Sequence, residues 1–196
     1  MFELLESRRM LSGNVSAVIV GGVLVVTGDN KSNQVEVSTT PDFTTEVRPL
    51  GDTRVNGSTA TAVFDEWPDI AINVGNGEDF VRLRDLTTEN VSVSTGNGND
   101  TVEFDNDDFG PSVAGTVNVD TGNGDDLVAF HEGNFINVLN VNLGNGDDRV
   151  TNDGQLGSIF ETANINGGNG HDVVDFGAGI EGFDAVNLIS IETFIP

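Results

Sequence analysis

Five segments of this chain read Gly-Asn-Gly-x-Asp, and their spacing restricts the fold more than any other feature. They begin at Gly75, Gly96, Gly122, Gly144 and Gly168 and close with Asp79, Asp100, Asp126, Asp148 and Asp172. Weaker relatives stand upstream at Gly28-Asp29-Asn30 and Gly51-Asp52. Counted from Gly28, successive starts lie 23, 24, 21, 26, 22 and 24 residues apart. A fixed period of this length marks a repeat architecture, in which each unit buries its apolar face only against its neighbours.

The flanks share the period. Five and three residues before each strong turn stand Ile70/Ile72, Val91/Val93, Val117/Val119, Leu139/Val141 and Ala163/Ile165. Two and four residues after each closing Asp stand Val81/Leu83, Val102/Phe104, Val128/Phe130, Val150/Asn152 and Val174/Phe176. Polar residues such as Ser92, Asn118 and Asn140 fill the gaps. Period-two alternation rich in β-branched residues indicates short strands with one buried face. Equivalent residues recur once per period, so the strands stack only if each period is one coil. The expected fold is all-β: a single-domain parallel β-solenoid (a β-helix or β-roll) of about seven coils of 21–26 residues. It would occupy residues 14–196, behind an N-terminal arm over 1–13. At about 4.8 Å per coil the rod would be roughly 34 Å long. The Val columns and Phe104, Phe130 and Phe176 would fill its interior.

The corners admit two readings. Gly and Asn adopt positive φ cheaply, so Gly-Asn-Gly serves as a tight turn whose Asn side chains bond from coil to coil. The closing aspartates add something sharper. Stacking places Asp79, Asp100, Asp126, Asp148 and Asp172 near 5 Å from one another. Each neighbouring pair would repel by about 0.9 kcal/mol in water and about 3.5 at an effective dielectric of 20. Glu78, Asp125 and Asp147 add charge beside them. Cations between coils would relieve the repulsion. Calcium suits the file, as a hard ion that takes six to eight oxygens from carboxylates and carbonyls. A solvated acidic edge that keeps the rod soluble is the alternative.

Composition narrows the function. With 8 Lys+Arg against 32 Asp+Glu, the net charge is -24, which excludes nucleic-acid binding and disfavours anionic membranes. No apolar run approaches the ~20 residues of a membrane helix. Cys is absent, so there are no disulfides and no thiolate metal sites. Two His, no Tyr and no nucleophile, zinc or phosphate-loop motif supply little for catalysis. The chain is therefore expected not to be an enzyme.

Two resemblances follow from the motifs. Gly167-Gly168-Asn169-Gly170-His171-Asp172-Val173-Val174-Asp175 resembles the calcium-binding nonapeptide of repeats-in-toxin proteins, Gly-Gly-x-Gly-x-Asp-x-apolar-x. The other four copies match from the second Gly onward, with Val74, Thr95, Thr121 or Leu143 in the first position. The resemblance implies calcium held in a parallel β-roll by Asp79, Asp100, Asp126, Asp148 and Asp172, with carbonyls around Gly75, Gly96, Gly122, Gly144 and Gly168. That family places two nonapeptides in each coil of about 18 residues, whereas this chain has one motif per coil of about 23. The second resemblance is at the start. Phe2-Glu3-Leu4-Leu5-Glu6-Ser7-Arg8-Arg9-Met10-Leu11-Ser12 is similar to the Leu-Glu-Pro-Arg-x-Leu-Leu segment of planctomycete surface proteins, with Ser7 for Pro and Met10 for a Leu. It implies an extracellular or cell-surface destination. Its charges interrupt any ordinary signal-peptide core; a targeting or assembly arm and a fraying tail both fit.

Both ends of the repeat array, Val15 to Val26 and Phe183 to Pro196, are apolar and strand-like, and no capping segment is evident. Complementary ends on one molecule make heterologous contacts that propagate. The leading expectation is an extracellular structural protein: a calcium-stabilised solenoid that stacks head to tail with itself into a surface fibre or matrix. The alternative is a secreted adhesin or carbohydrate-binding module, which would need exposed aromatic residues. Trp67 is the only Trp.

Overall fold

Alternating β-branched and polar residues build strands throughout. The fold is that of a computed structural model, which describes residues 13–106, 112–131, 133–152, 159–177 and 185–195. All of the expected N-terminal arm except Gly13 lies outside these residues. The strands of the first third are β1 (Asn14–Val20), β2 (Val23–Thr27), β3 (Gln34–Thr39), β4 (Thr45–Pro49), β5 (Arg54–Val55) and β6 (Ala62–Phe64). There follow β7 (Asp69–Asn73), β8 (Phe80–Arg84), β9 (Thr87–Ser94), β10 (Thr101–Asp105), β11 (Ser112–Asp120) and β12 (Leu127–Phe130). The last are β13 (Asn134–Asn145), β14 (Arg149–Asn152), β15 (Ile159–Asn169), β16 (Val173–Asp175), β17 (Ala185–Ile189) and β18 (Thr193–Ile195).

The strands form two sheets, in the orders β17-β15-β13-β11-β9-β7-β2-β1-β5 and β18-β16-β14-β12-β10-β8-β3-β4-β6. From β2 and β3 onward every neighbour is parallel and in register with the repeat, as in Val91↔Val117↔Leu139 and Val102↔Val128↔Val150. The chain is therefore a parallel β-solenoid, each coil giving one strand to each sheet. Between the sheets the aligned side chains form files. Val35, Val81, Val102, Val128, Val150 and Val174 are all fully buried. Phe104 and Phe130 stack at 4.8 Å between ring centroids; Asn152 then interrupts that file before Phe176. On the outer face, Asn118, Asn140, Asn164 and Asn187 form an amide ladder, each Nδ2 donating to the preceding Oδ1 at 2.8–2.9 Å.

Three expectations need correction. The regular part is shorter than seven coils: four complete turns lie between the first and last Gly-Asn-Gly corners, with less regular strands at either end. Gly51 opens no coil. It lies in the turn after β4, which pairs antiparallel with β3, because the chain from Thr40 to Phe64 leaves the coil, with β4 and β6 running antiparallel and β5 parallel to β1. This excursion, with the β1–β2 hairpin, caps the N-terminal end, so that end is not an open parallel edge. β5 covers the start of β1. Next to it, Asn56 imitates a strand: its side chain accepts from the Ala17 N–H and donates to the Ala17 carbonyl, both at 2.9 Å. Blocking an edge in this way opposes further strand pairing. The third correction concerns the first corner. Asn76 pairs its amide with Asn30 and Asp79 accepts from Asn33, so Asp29, not Gly28, occupies the place of Gly75.

Candidate metal centre

Each corner turns the chain from one sheet to the other in a space too tight for a Cβ. At Gly98, φ is 135° and a Cβ would lie 1.6 Å from the Gly77 carbonyl of the preceding coil. Gly is required there by backbone conformation and by the approach of the neighbouring coil. The stack of corners is knitted by amides: Asn97 donates to Asn76, Asn123 to Asn97, Asn145 to Asn123 and Asn169 to Asn145, at 2.6–2.7 Å.

The five aspartates do stack, but inside the corner instead of along an exposed edge. All are buried, none more than 2% exposed. One oxygen of each is engaged. The Asp79 N–H donates to Asp100 Oδ1, Asp100 to Asp126, Asp126 to Asp148 and Asp148 to Asp172, at 2.7–3.0 Å. Two residues that the repeat pattern does not mark complete the column. Asn33 donates its N–H to Asp79 Oδ1 at 2.6 Å, and Glu192 Oε2 accepts from the Asp172 N–H at 2.7 Å. Neither belongs to a Gly-Asn-Gly segment, so only the strand register reveals them.

The second oxygen carries the chemistry. Oδ2 of Asp79, Asp100, Asp126, Asp148 and Asp172 is buried without a hydrogen-bond partner. A buried anionic oxygen left bare is expensive unless a proton or cation completes it. Burial accordingly pushes Asp79 and Asp126 up to about 6 and Asp148 up to about 7. Neighbouring carboxylates push the same way, while the backbone N–H donated to each and, at Asp126, the Thr121 hydroxyl work against the rise. Asp100 and Asp172 are raised as well, again chiefly by burial.

The glycine carbonyls take a different role from the one implied by the toxin repeats. Those of Gly75, Gly96 and Gly122 accept the N–H of Asn97, Asn123 and Asn145 at 2.8–3.0 Å, coil to coil. Gly144 and Gly168 stack directly, in register between β13 and β15. Among the described residues, no three carboxylate or imidazole groups converge on one point. Any ion would therefore draw on one Asp oxygen per coil together with main-chain or hydroxyl oxygen.

The residue before each corner decides what the unpartnered Asp oxygen faces. Val74 and Leu143 fill that station with fully buried apolar side chains. Thr95 and Thr121 bring hydroxyls, which donate to the carbonyls of Thr121 and Leu143 at 3.1 and 2.8 Å. At Gly167 the station carries no side chain. A Cβ there would sit 2.1 Å from the Ser190 carbonyl oxygen and 2.3 Å from Asp172 Oδ2. Two oxygens thus face one another across a cradle with no hydrogen to share, and Glu192 stands beside them. This donor set fits a hard cation such as calcium, and it is the corner that carries the complete Gly-Gly-x-Gly-x-Asp motif. No protein-family model matches the chain, and no curated protein or solved structure matches it.

Proposed function

We propose that the chain is a non-enzymatic, extracellular structural protein: a calcium-stabilised solenoid whose copies join end to end in a surface fibre or matrix. The observation that carries this reading is where the exposed large apolar side chains lie. Among the described residues they are Val18, Val20, Phe43, Val63 and Trp67 in and around the N-terminal cap, and Ile189, Phe194 and Ile195 in the last coil. The described residues of the coils between carry none. Exposed apolar groups confined to two ends suit association through those ends. Because Asn56 and β5 block the edge of β1, the joint would rest on side chains and not on a continued ladder of strands. A net charge of -24 makes each copy repel the next, so assembly would also need cations as a screen.

Calcium would act on folding. Bound at the corner oxygens, it adds its binding free energy to the folded state. The bare Asp oxygens, and the carbonyl that faces one of them at Gly167, support this role. Electron microscopy of the purified protein with millimolar calcium and with chelator tests the proposal. Rods of indefinite length that shorten in chelator are expected; monodisperse particles under both conditions would contradict it. One observation favours a second reading, a carbohydrate-binding module or adhesin. Phe43 and Trp67, both more than half exposed, meet edge to face at 4.8 Å, and such a pair can take the apolar face of a sugar. Glycan-array binding that disappears in Trp67→Ala would favour it.

A further inference from the structure

The first corner, Asp29 to Asn33, has no aspartate in the column position. Asn33 stands there, fully buried. Its N–H serves the column as those of the aspartates do, but its side chain does the opposite of theirs. Nδ2 faces the carbonyl oxygens of Asp29 at 3.2 Å, Lys31 at 2.5 Å and Val74 at 3.4 Å. Asp79 Oδ1 lies 3.4 Å from the same atom, and four acceptors around one terminal atom identify it as the donor end of the amide; the other end, Oδ1, is buried without a partner.

The matching atom in the Gly167 corner is a carboxylate oxygen. A Cβ on Gly28 would sit 2.4 Å from the Val74 carbonyl oxygen and 2.9 Å from Asn33 Nδ2. On Gly167 it would sit 2.1 Å from the Ser190 carbonyl oxygen and 2.3 Å from Asp172 Oδ2. The strand register makes Gly28 and Val74 neighbours in the first corner, and Gly167 and Ser190 neighbours in the last. The station and its neighbouring carbonyl are the same; only the hydrogen-bonding character is reversed. In the first corner a donor satisfies the carbonyl. In the last an acceptor opposes it.

We propose that Asn33 is a built-in substitute for a bound cation, so that the first corner closes without an ion while the Gly167–Asp172 corner closes only on one. This rests on reading the aspartate column as a cation ladder. It makes the demand for ions differ from corner to corner. The capped N-terminal coil is ion-independent and templates the next; the Thr95 and Thr121 corners supply a hydroxyl donor of their own. The Val74 and Leu143 corners supply none but are filled by apolar side chains; the Gly167 corner, with neither donor nor side chain, depends on the ion most.

Two variants of the full chain test this, Asn33→Asp and Asp172→Asn. Each is melted at pH 8 in chelator and in millimolar calcium chloride, followed by circular dichroism, and its bound calcium is counted by calorimetry. Asp172→Asn places an amide donor against the Ser190 carbonyl. It should melt roughly 5 °C above wild type in chelator and bind one calcium fewer. Asn33→Asp should melt below wild type in chelator, regain that loss in calcium and bind one ion more. Asp172→Asn melting below wild type in chelator overturns the proposal, as does Asn33→Asp melting like wild type there. If Asn33→Asp does not fold in either condition, the Asp172→Asn melts decide alone. A wild type that binds no calcium sinks the calcium reading by itself, and the order of the chelator melts still decides whether Asn33 is the donor that the aspartates lack.

Discussion

Without calcium, the protein should become less stable as pH rises from 5 to 8, opposite to the usual gain from ionised, well-paired carboxylates. Asp79 and Asp126 sit at about 6 and Asp148 at about 7, against 3.8 when unperturbed. Their folded-state values are raised, so over this range the folded chain binds more protons than the unfolded one. Stability is then fully present below about 3.8 and is lost as pH climbs through 6 and 7. Between pH 5 and 8, linkage gives about 3 kcal/mol from Asp148 and about 1 kcal/mol each from Asp79 and Asp126. Screening by solvent near the corner removes about half. The remaining ~2–3 kcal/mol corresponds to a fall of roughly 5–10 °C in melting temperature for a chain of this size. Thermal melts in chelator at fixed ionic strength measure it, and Asp148→Asn should flatten the slope. A melting temperature that is constant or rises between pH 5 and 8 would refute the claim that these carboxylates are buried with one oxygen unpartnered.

Other outcomes follow from the stacking. Gly98→Ala should cost at least ~3 kcal/mol, since it combines a positive φ with a Cβ 1.6 Å from the Gly77 carbonyl; a urea midpoint near wild type would contradict the close approach of the coils. Val128→Ala, in the middle of the buried valine file, should cost roughly 2 kcal/mol by the same assay. The chain has no Cys, so a Cys pair at positions 97 and 123, whose amides now bond at 2.7 Å, should form a disulfide under mild oxidation. Failure to crosslink in the folded state would mean that those corners are not neighbours.

Much of the fold was legible in the sequence because one physical signal, the repeat, fixed both the period and the face. The alternation placed Val81, Val102 and Val128 in one file, and the glycine pattern placed the aspartates in another. What was not legible depended on contacts outside the repeat. Nothing local marks Thr45 to Pro49 as antiparallel to β3; it lies in the same apolar alternation as the coils, and only closure of the N-terminal end decides its direction. Asn33 and Glu192 entered the column through register, three-dimensional information that a motif search does not carry. The burial of the aspartates was also hidden. A carboxylate after a Gly-rich turn reads as an exposed edge, yet here the tight corner turns it inward. The station before each corner, which separates Gly167 from Val74 and Leu143, looked like a lost glycine and became the feature that sets whether the Asp oxygen faces a carbonyl, a hydroxyl or an apolar side chain.

Calcium titration of the wild-type protein at pH 7.5, with binding followed by calorimetry and stability by melting, tests the corner column most directly. Saturable binding at a small whole number of sites, with a melting temperature that climbs with free calcium, is the expected result. No heat of binding and identical melts in calcium and in chelator would contradict it.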